Sequence, residues 1–223
     1  MRGSFFGNLD QAGSPGGFAL ANSKMARIRL NGTEVMARQG SMVAYQGEMD
    51  FAYQGAGGIG KFLKKAMTGE GAPLMRVSGH GDLYVADNAD DVHLFYLENE
   101  ALTVNGRNLL AFDAGLSWDI QRVQGAGMAT SGLFNTTLRG SGWVAVTAHG
   151  APVLLDAGAA PTFADAQSAV CWSADLKVGV HRTVKLSALV GRGSGEAFQL
   201  AFQGRGFVLV QASEGRPVPQ AQG

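Results

Sequence analysis

A short phrase occurs three times in this chain and limits what it can become. Phe202-Gln203-Gly204-Arg205-Gly206-Phe207-Val208-Leu209-Val210 is its clearest copy, and Gly140-Ser141-Gly142-Trp143-Val144-Ala145-Val146 and Gly79-His80-Gly81-Asp82-Leu83-Tyr84-Val85 repeat it. The first glycines stand 61 and then 64 positions apart. Each copy reads as a tight, glycine-bearing bend feeding an apolar strand, because glycine takes left-handed backbone without steric cost.

The repeat extends backwards from the phrase. Met36, Leu110 and Val170 each begin a short apolar segment, followed by the small residues Gly40, Ala114 and Ala174 and then by Met42, Leu116 and Leu176. The first copy is the longest and carries an insertion over residues 54 to 69. In the third copy Phe198, Leu200 and Phe202 alternate with Gln199, Ala201 and Gln203, the pattern of a strand with one wet face. Val178, Val180, Val184 and Leu186 add β-branched, alternating support. Near the start, Ala26-Arg27-Ile28-Arg29-Leu30 has the period of a half-buried strand, and Asn31-Gly32 supplies a hairpin turn into Val35 to Arg38.

A unit of about 60 residues made of short strands cannot bury both faces of its sheet alone, so the copies must close against one another. The expected fold is therefore all-β, with three tandem repeats about a pseudo-threefold axis. The repeats run over about 18–100, 101–160 and 161–212 of a single domain, 18–212, with a flexible arm at 1–17 and a flexible tail at 213–223. One short helix is inserted in the first repeat. There Ile59, Phe62, Leu63, Ala66 and Met67 recur at helical spacing, Lys61, Lys64 and Lys65 lie between them, and Gly69 is placed to end the turn.

Composition narrows the function classes. Lys+Arg and Asp+Glu balance at 18 each, so no bulk field recruits nucleic acid or an anionic surface. The 33 glycines with 46% hydrophobic residues suit many short strands and argue against disorder. Cys171 is the only cysteine, which removes an intrachain disulfide and a cysteine-based zinc cluster and fits a reducing compartment. Flanked by Val170 and Trp172, it reads as a buried, inert thiol. No run of eighteen apolar residues exists and the first residues lack a signal-peptide core, so the expected location is cytoplasmic.

The motifs that resemble chemistry fail on context. Gly55-Ala56-Gly57-Gly58-Ile59-Gly60-Lys61 satisfies a dinucleotide fingerprint and nearly a phosphate loop, but Phe62 stands where a magnesium-binding hydroxyl is needed, and no alternating strands and helices follow. His80, His93, His149 and His181 are single and scattered, so no metal site is expected. Asp90-Asp91, Glu98 and Glu100 read as a polar connection between the first and second units rather than a catalytic pair. Gly191-Arg192-Gly193-Ser194-Gly195 comes near a nucleophile elbow by composition alone. No catalytic, cofactor-binding or metal-ligating residue is assigned, and no cofactor is expected.

Asn22-Ser23-Lys24-Met25, the stretch Val35-Met36-Ala37-Arg38-Gln39-Gly40-Ser41-Met42-Val43-Ala44-Tyr45-Gln46-Gly47 and the closing Phe202 to Gln211 resemble the altered-inheritance-of-mitochondria protein 24 family. The resemblance runs over roughly residues 18 to 212. It implies three tandem units similar to the tryptophan RNA-binding attenuation protein, each a short double-stranded β-helix, in a protein often assembled into homo-oligomers. It also implies widespread bacterial members, fungal members linked to mitochondrial inner-membrane organisation, and no defined activity. No tryptophan-binding or RNA-binding motif of the attenuation protein can be matched to residues here.

The expectation is a non-enzymatic oligomeric scaffold or binding protein whose main partner is itself, in a homo-oligomer such as a trimer, alongside an unknown protein partner and no nucleic acid. Two alternatives stay open. One is a membrane-surface adaptor that uses Lys61, Phe62, Leu63, Lys64 and Lys65 of the basic helix 59–68. The other is a small-molecule binder or enzyme with a pocket between repeats.

Overall fold

The computed structural model describes residues 1–3, 17–53, 73–122, 134–182 and 198–213, and every regular element among them is a β-strand. The helix 59–68, the glycine run 55–61, the turn at 191–195, most of the arm and the tail from residue 214 lie outside the described residues. Fifteen strands form an antiparallel sheet of twelve and a smaller sheet of three. The fold class is all-β.

The strands fall into three groups. The first holds β3 (Met25–Arg38), β4 (Met42–Tyr53) and β5 (Leu74–Val85), with β2 (Phe18–Asn22) added to the side of β3. The second holds β6 (Asp91–Asn105), β7 (Leu109–Asp113), β8 (Ser117–Arg122) and β9 (Phe134–Ala148). The third holds β10 (Val153–Asp156), β11 (Thr162–Asp165), β12 (Ala169–Ser173), β13 (Lys177–Arg182), β14 (Phe198–Gln203) and β15 (Phe207–Val210). β1 (Arg2–Gly3) pairs with β6, so the chain's first residues are held on the sheet although ordered chain was expected to begin near Phe18.

Pairing follows one register in all three groups. Arg38 faces Leu74, Asn105 faces Asn135 and Asp165 faces Gln199. At the other end Ala26 faces Val85, His93 faces Val146 and Val153 faces Val210. The middle strands begin opposite the same positions, Met42 at Val85, Leu109 at Val146 and Ala169 at Val210, each with a bulge just after. One tight turn precedes each middle strand. Ser41 N–H donates to the Arg38 carbonyl at 3.1 Å, Asn108 N–H to the Asn105 carbonyl at 2.8 Å, and Ser168 N–H to the Asp165 carbonyl at 3.1 Å.

This register corrects several readings. Val43, not Met36, stands where Leu110 and Val170 stand; Met36 lies on β3 and faces Phe112. Asn31-Gly32 does not close a hairpin, because β3 runs on through it. Gly32 takes φ +75° inside a register shift between Asn31 and Glu34, and pairing to β5 on both sides keeps the strand going. The glycine phrases likewise bend strands more often than they end them. Gly79 to Gly81 lie within β5 and Gly140 to Gly142 within β9, and only Gly204 to Gly206 fall between strands. Asp91, Glu98 and Glu100 belong to β6, whose Val92, Leu94, Phe95 and Leu97 are buried, so they sit on an inner strand and not in a polar connection.

The core follows the groups. Ile28, Val77 and Leu83 pack with Leu94 and Trp143 of the second group. Phe112 and Val144 pack with Met36 on one side and with Val170, Cys171 and Leu209 on the other. Trp172, Leu200 and Phe202 close the third. Sheets also join group to group: β7 pairs with β3 through Met36 and Phe112, and β12 pairs with β6 through Thr103 and Trp172. The large sheet therefore ends at β4 on one side and β10 on the other.

Candidate functional site at the joints between strand groups

Glycines shape each joint by letting a strand pass close to the turn beside it. A Cβ on Gly142 would stand 2.9 Å from the Asp113 carboxylate, and one on Gly206 would stand 2.6 Å from the Ser173 Cβ. The space left empty is used for a hydrogen bond. Trp143 N–H donates to Asp113 Oδ2 at 2.6 Å, and Phe207 N–H donates to Ser173 Oγ at 3.0 Å. Burial raises the Asp113 carboxyl above its ordinary pKa, opposed by the Trp143 N–H. Since serine serves in the third group, a neutral acceptor satisfies the same position.

A cleft of about 670 Å³ opens between the second and third groups, with Glu100, Arg139, Gly140, Ser173, Asp175 and Phe207 among its walls. Its floor is the β6 bulge, where Asn99 takes φ +57° and its N–H is received by Ser141 Oγ at 2.9 Å. The Met1 amine lies 2.9 Å from Glu100. Ser173 Oγ accepts from Phe207 N–H, and charged side chains of both signs, Glu100, Asp175 and Arg139, stand around it in the cleft. A smaller hollow of about 490 Å³ lies on β4 and β5, between Glu48, Asp50 and His80.

The histidines do not converge. His80 is exposed, His149 Nδ1 lies 2.8 Å from Asp90, and the His181 ring lies 5.0 Å from that of Phe163. Burial pushes the His93 imidazole below its usual pKa, against the pull of Asp91. No three potential metal ligands stand together among the described residues. Cys171 is fully buried and burial pushes its thiol far up, which agrees with the inert reading. Lys61, Phe62, Leu63, Lys64 and Lys65, singled out as a contact surface, lie outside the described residues.

Buried polar side chains serve the backbone. Asn105 Nδ2 donates to the Ala166 and Ala169 carbonyls at 3.0 and 3.2 Å, and Asn108 Nδ2 donates to the Thr147 carbonyl at 2.7 Å. Such groups fix turns and joints. What sequence reasoning missed is a set of exposed apolar residues at the ends of the assembly: Met42, Val43 and Tyr45 on β4, Val153 and Leu154 on β10, and Phe163 on β11. For Met42, Val43, Tyr45 and Phe163 the signal was present only in the register, since their counterparts in the other groups are buried.

These features define an all-β protein of strand groups joined edge to edge, with a cleft at the joint of the second and third groups and no cluster of three potential metal ligands among the described residues. The chain belongs to the mitochondrial biogenesis AIM24 family, whose profile matches residues 18–213. The fold is similar to the crystal structure of a Streptococcus pyogenes protein from a structural-genomics effort, with a TM-score of 0.70 at 22% identity, covering 88% of this chain and 92% of that one. No curated protein matches the chain. Among the described residues no helix is long and apolar enough to cross a membrane.

Proposed function

We propose that this protein is a non-enzymatic, cytoplasmic, oligomeric scaffold built from three tandem copies of one β unit. The observation that carries this is the shared register: strand partners, turns and bulges coincide at offsets that hold along each strand. A unit reused in this way buries its apolar face only against a neighbour, so its natural activity is association. Exposed apolar side chains on the outer strands support the same reading, because such patches on soluble proteins mark contact surfaces. The balanced charge supports a protein partner over nucleic acid. The single buried thiol supports a reducing compartment.

Light scattering on the full chain at micromolar concentration tests the reading. A mass that is a multiple of the 23.2 kDa chain is expected, and a stable single-chain mass removes it.

A further inference from the structure

Resting on the oligomeric reading, we infer that copies of this chain join head to tail: the free edge of β4 in one copy takes the free edge of β11 in the next, in the register used twice inside the chain. Two internal joints set the rule. Val35, Met36 and Ala37 of β3 face Asp113, Phe112 and Ala111, and Leu102, Thr103 and Val104 of β6 face Ser173, Trp172 and Cys171. Within each group Tyr45, Phe112 and Trp172 face equivalent residues, Leu83, Val144 and Val208. Met36, Thr103 and Phe163 likewise face Arg76, Thr137 and Ala201. Carried to the ends of the chain, the rule pairs Ala44 with Ala164, Tyr45 with Phe163 and Gln46 with Thr162.

Burial marks these positions as unfinished joints. Phe112 and Trp172 are 0% and 3% exposed, whereas Tyr45 is 47% exposed. Met36 and Thr103 are 1% and 8% exposed, whereas Phe163 is 46% exposed. Val43 is 53% exposed, although its counterparts Leu110 and Val170 are fully buried.

Both stretches lack the charges and prolines that blunt a free edge: Met42-Val43-Ala44-Tyr45 and Thr162-Phe163-Ala164 are neutral throughout. β4 and β11 each have a single strand partner among the described residues. A hydrogen bond at the internal joints, from Ala114 N–H to the Glu34 carbonyl and from Ala174 N–H to the Ala101 carbonyl, would map onto Gly47 N–H and the Pro161 carbonyl. Proline keeps that acceptor. The hollow on β4 fits the same rule, since Glu48 stands where Asp175 stands in the larger cleft, three residues past Tyr45 and Trp172. The next copy would supply its missing wall.

A joint between two different edges is heterologous, so it closes into a ring or grows into a filament. Mixing variants tests this directly. Tyr45→Asp and Phe163→Asp, checked by circular dichroism for wild-type fold, should each run as single chains in light scattering, while the wild type assembles. An equimolar mixture should form a two-chain complex, because each variant retains one intact and complementary edge. As a second measurement, Tyr45→Cys mixed with Phe163→Cys and a short bis-maleimide should give a two-chain product. Assembly of either aspartate variant alone at wild-type mass, a mixture that stays single-chain, or no crosslinked product overturns the edge assignment while leaving an oligomeric scaffold standing. A single-chain wild type overturns both.

Discussion

Gly81 shows how tightly the backbones are drawn together. It takes φ +144°, and a Cβ there would stand 2.0 Å from the Gln46 carbonyl oxygen, a backbone atom that cannot swing aside. Gly47, directly across the pair, would meet the His80 carbonyl oxygen at 2.3 Å. Gly81→Ala should therefore destabilise the fold by about 2 kcal/mol or more, strain and displacement acting together. Gly40 offers the control, with φ +80° and nothing within 4 Å of where a methyl would stand, so Gly40→Ala should cost only about 1 kcal/mol of backbone strain. Urea unfolding compares the two, and equal costs would refute the crowding argument. Asp113 makes a second test at this scale. Its folded pKa is raised by burial, so the folded chain holds that proton to higher pH than the unfolded chain. The contribution is present below the ordinary carboxylate pKa and is lost as pH rises through the raised one. Asp113→Asn cannot ionise yet keeps an acceptor for Trp143 N–H. Its stability relative to wild type should climb as pH rises from the ordinary carboxylate range, about 4, to neutrality, and a flat difference across that range would show that the carboxylate is not held out of water.

At the scale of the strand, one position meets two fates. Trp172 is core because β12 lies against β6, and its ring meets that of Phe202 at 5.4 Å. Tyr45 occupies the same register on an edge and touches Phe51 at 5.3 Å between centroids. Trp172→Ala should cost about 3–5 kcal/mol of stability, as large core truncations do. Tyr45→Ala, measured in a Phe163→Asp background where copies stay apart, should change stability by less than about 1 kcal/mol. Comparable losses at the two positions would mean that Tyr45 packs within its own chain. The contrast also explains what could be read beforehand. Alternation of Leu200 and Phe202 with polar neighbours announced β14 correctly, since both are buried and Gln203 is exposed. The glycine phrases were recognisable, but their role as bends within β5 and β9 was not, because a left-handed glycine serves a turn and a bulge equally well. The Met36 anchor failed for a different reason. β4 runs unbroken, whereas the middle strands of the later groups are interrupted at turns closed by Leu116 N–H on Asp113 and Leu176 N–H on Ser173. A local apolar triplet on β3 matched them better than the true counterpart did. The exposed edges were beyond reach of composition, because an edge is a property of sheet order.

At the scale of the whole molecule, the outer strands couple assembly to stability. Any partner that binds the folded chain alone raises its stability through mass action, and a second copy is such a partner. Pairing along β4 and β11 would cover Met42, Val43, Tyr45 and Phe163, which a lone chain leaves in water. The unfolded chain has no edges to offer, so the gain belongs wholly to the native state. Wild-type Tm should therefore rise with protein concentration, and a hundredfold increase across the assembly range adds stabilisation of about 2.7 kcal/mol per bound site. Tyr45→Asp and Phe163→Asp should melt at a Tm independent of concentration and close to that of dilute wild type, because both side chains are exposed and hold no part of the chain's own core. The equimolar mixture should regain a concentration dependence, shallower than wild type because only one joint forms per pair. Differential scanning calorimetry over that range decides among these outcomes. A wild-type Tm that does not move with concentration would leave the outer strands without the partner their register predicts.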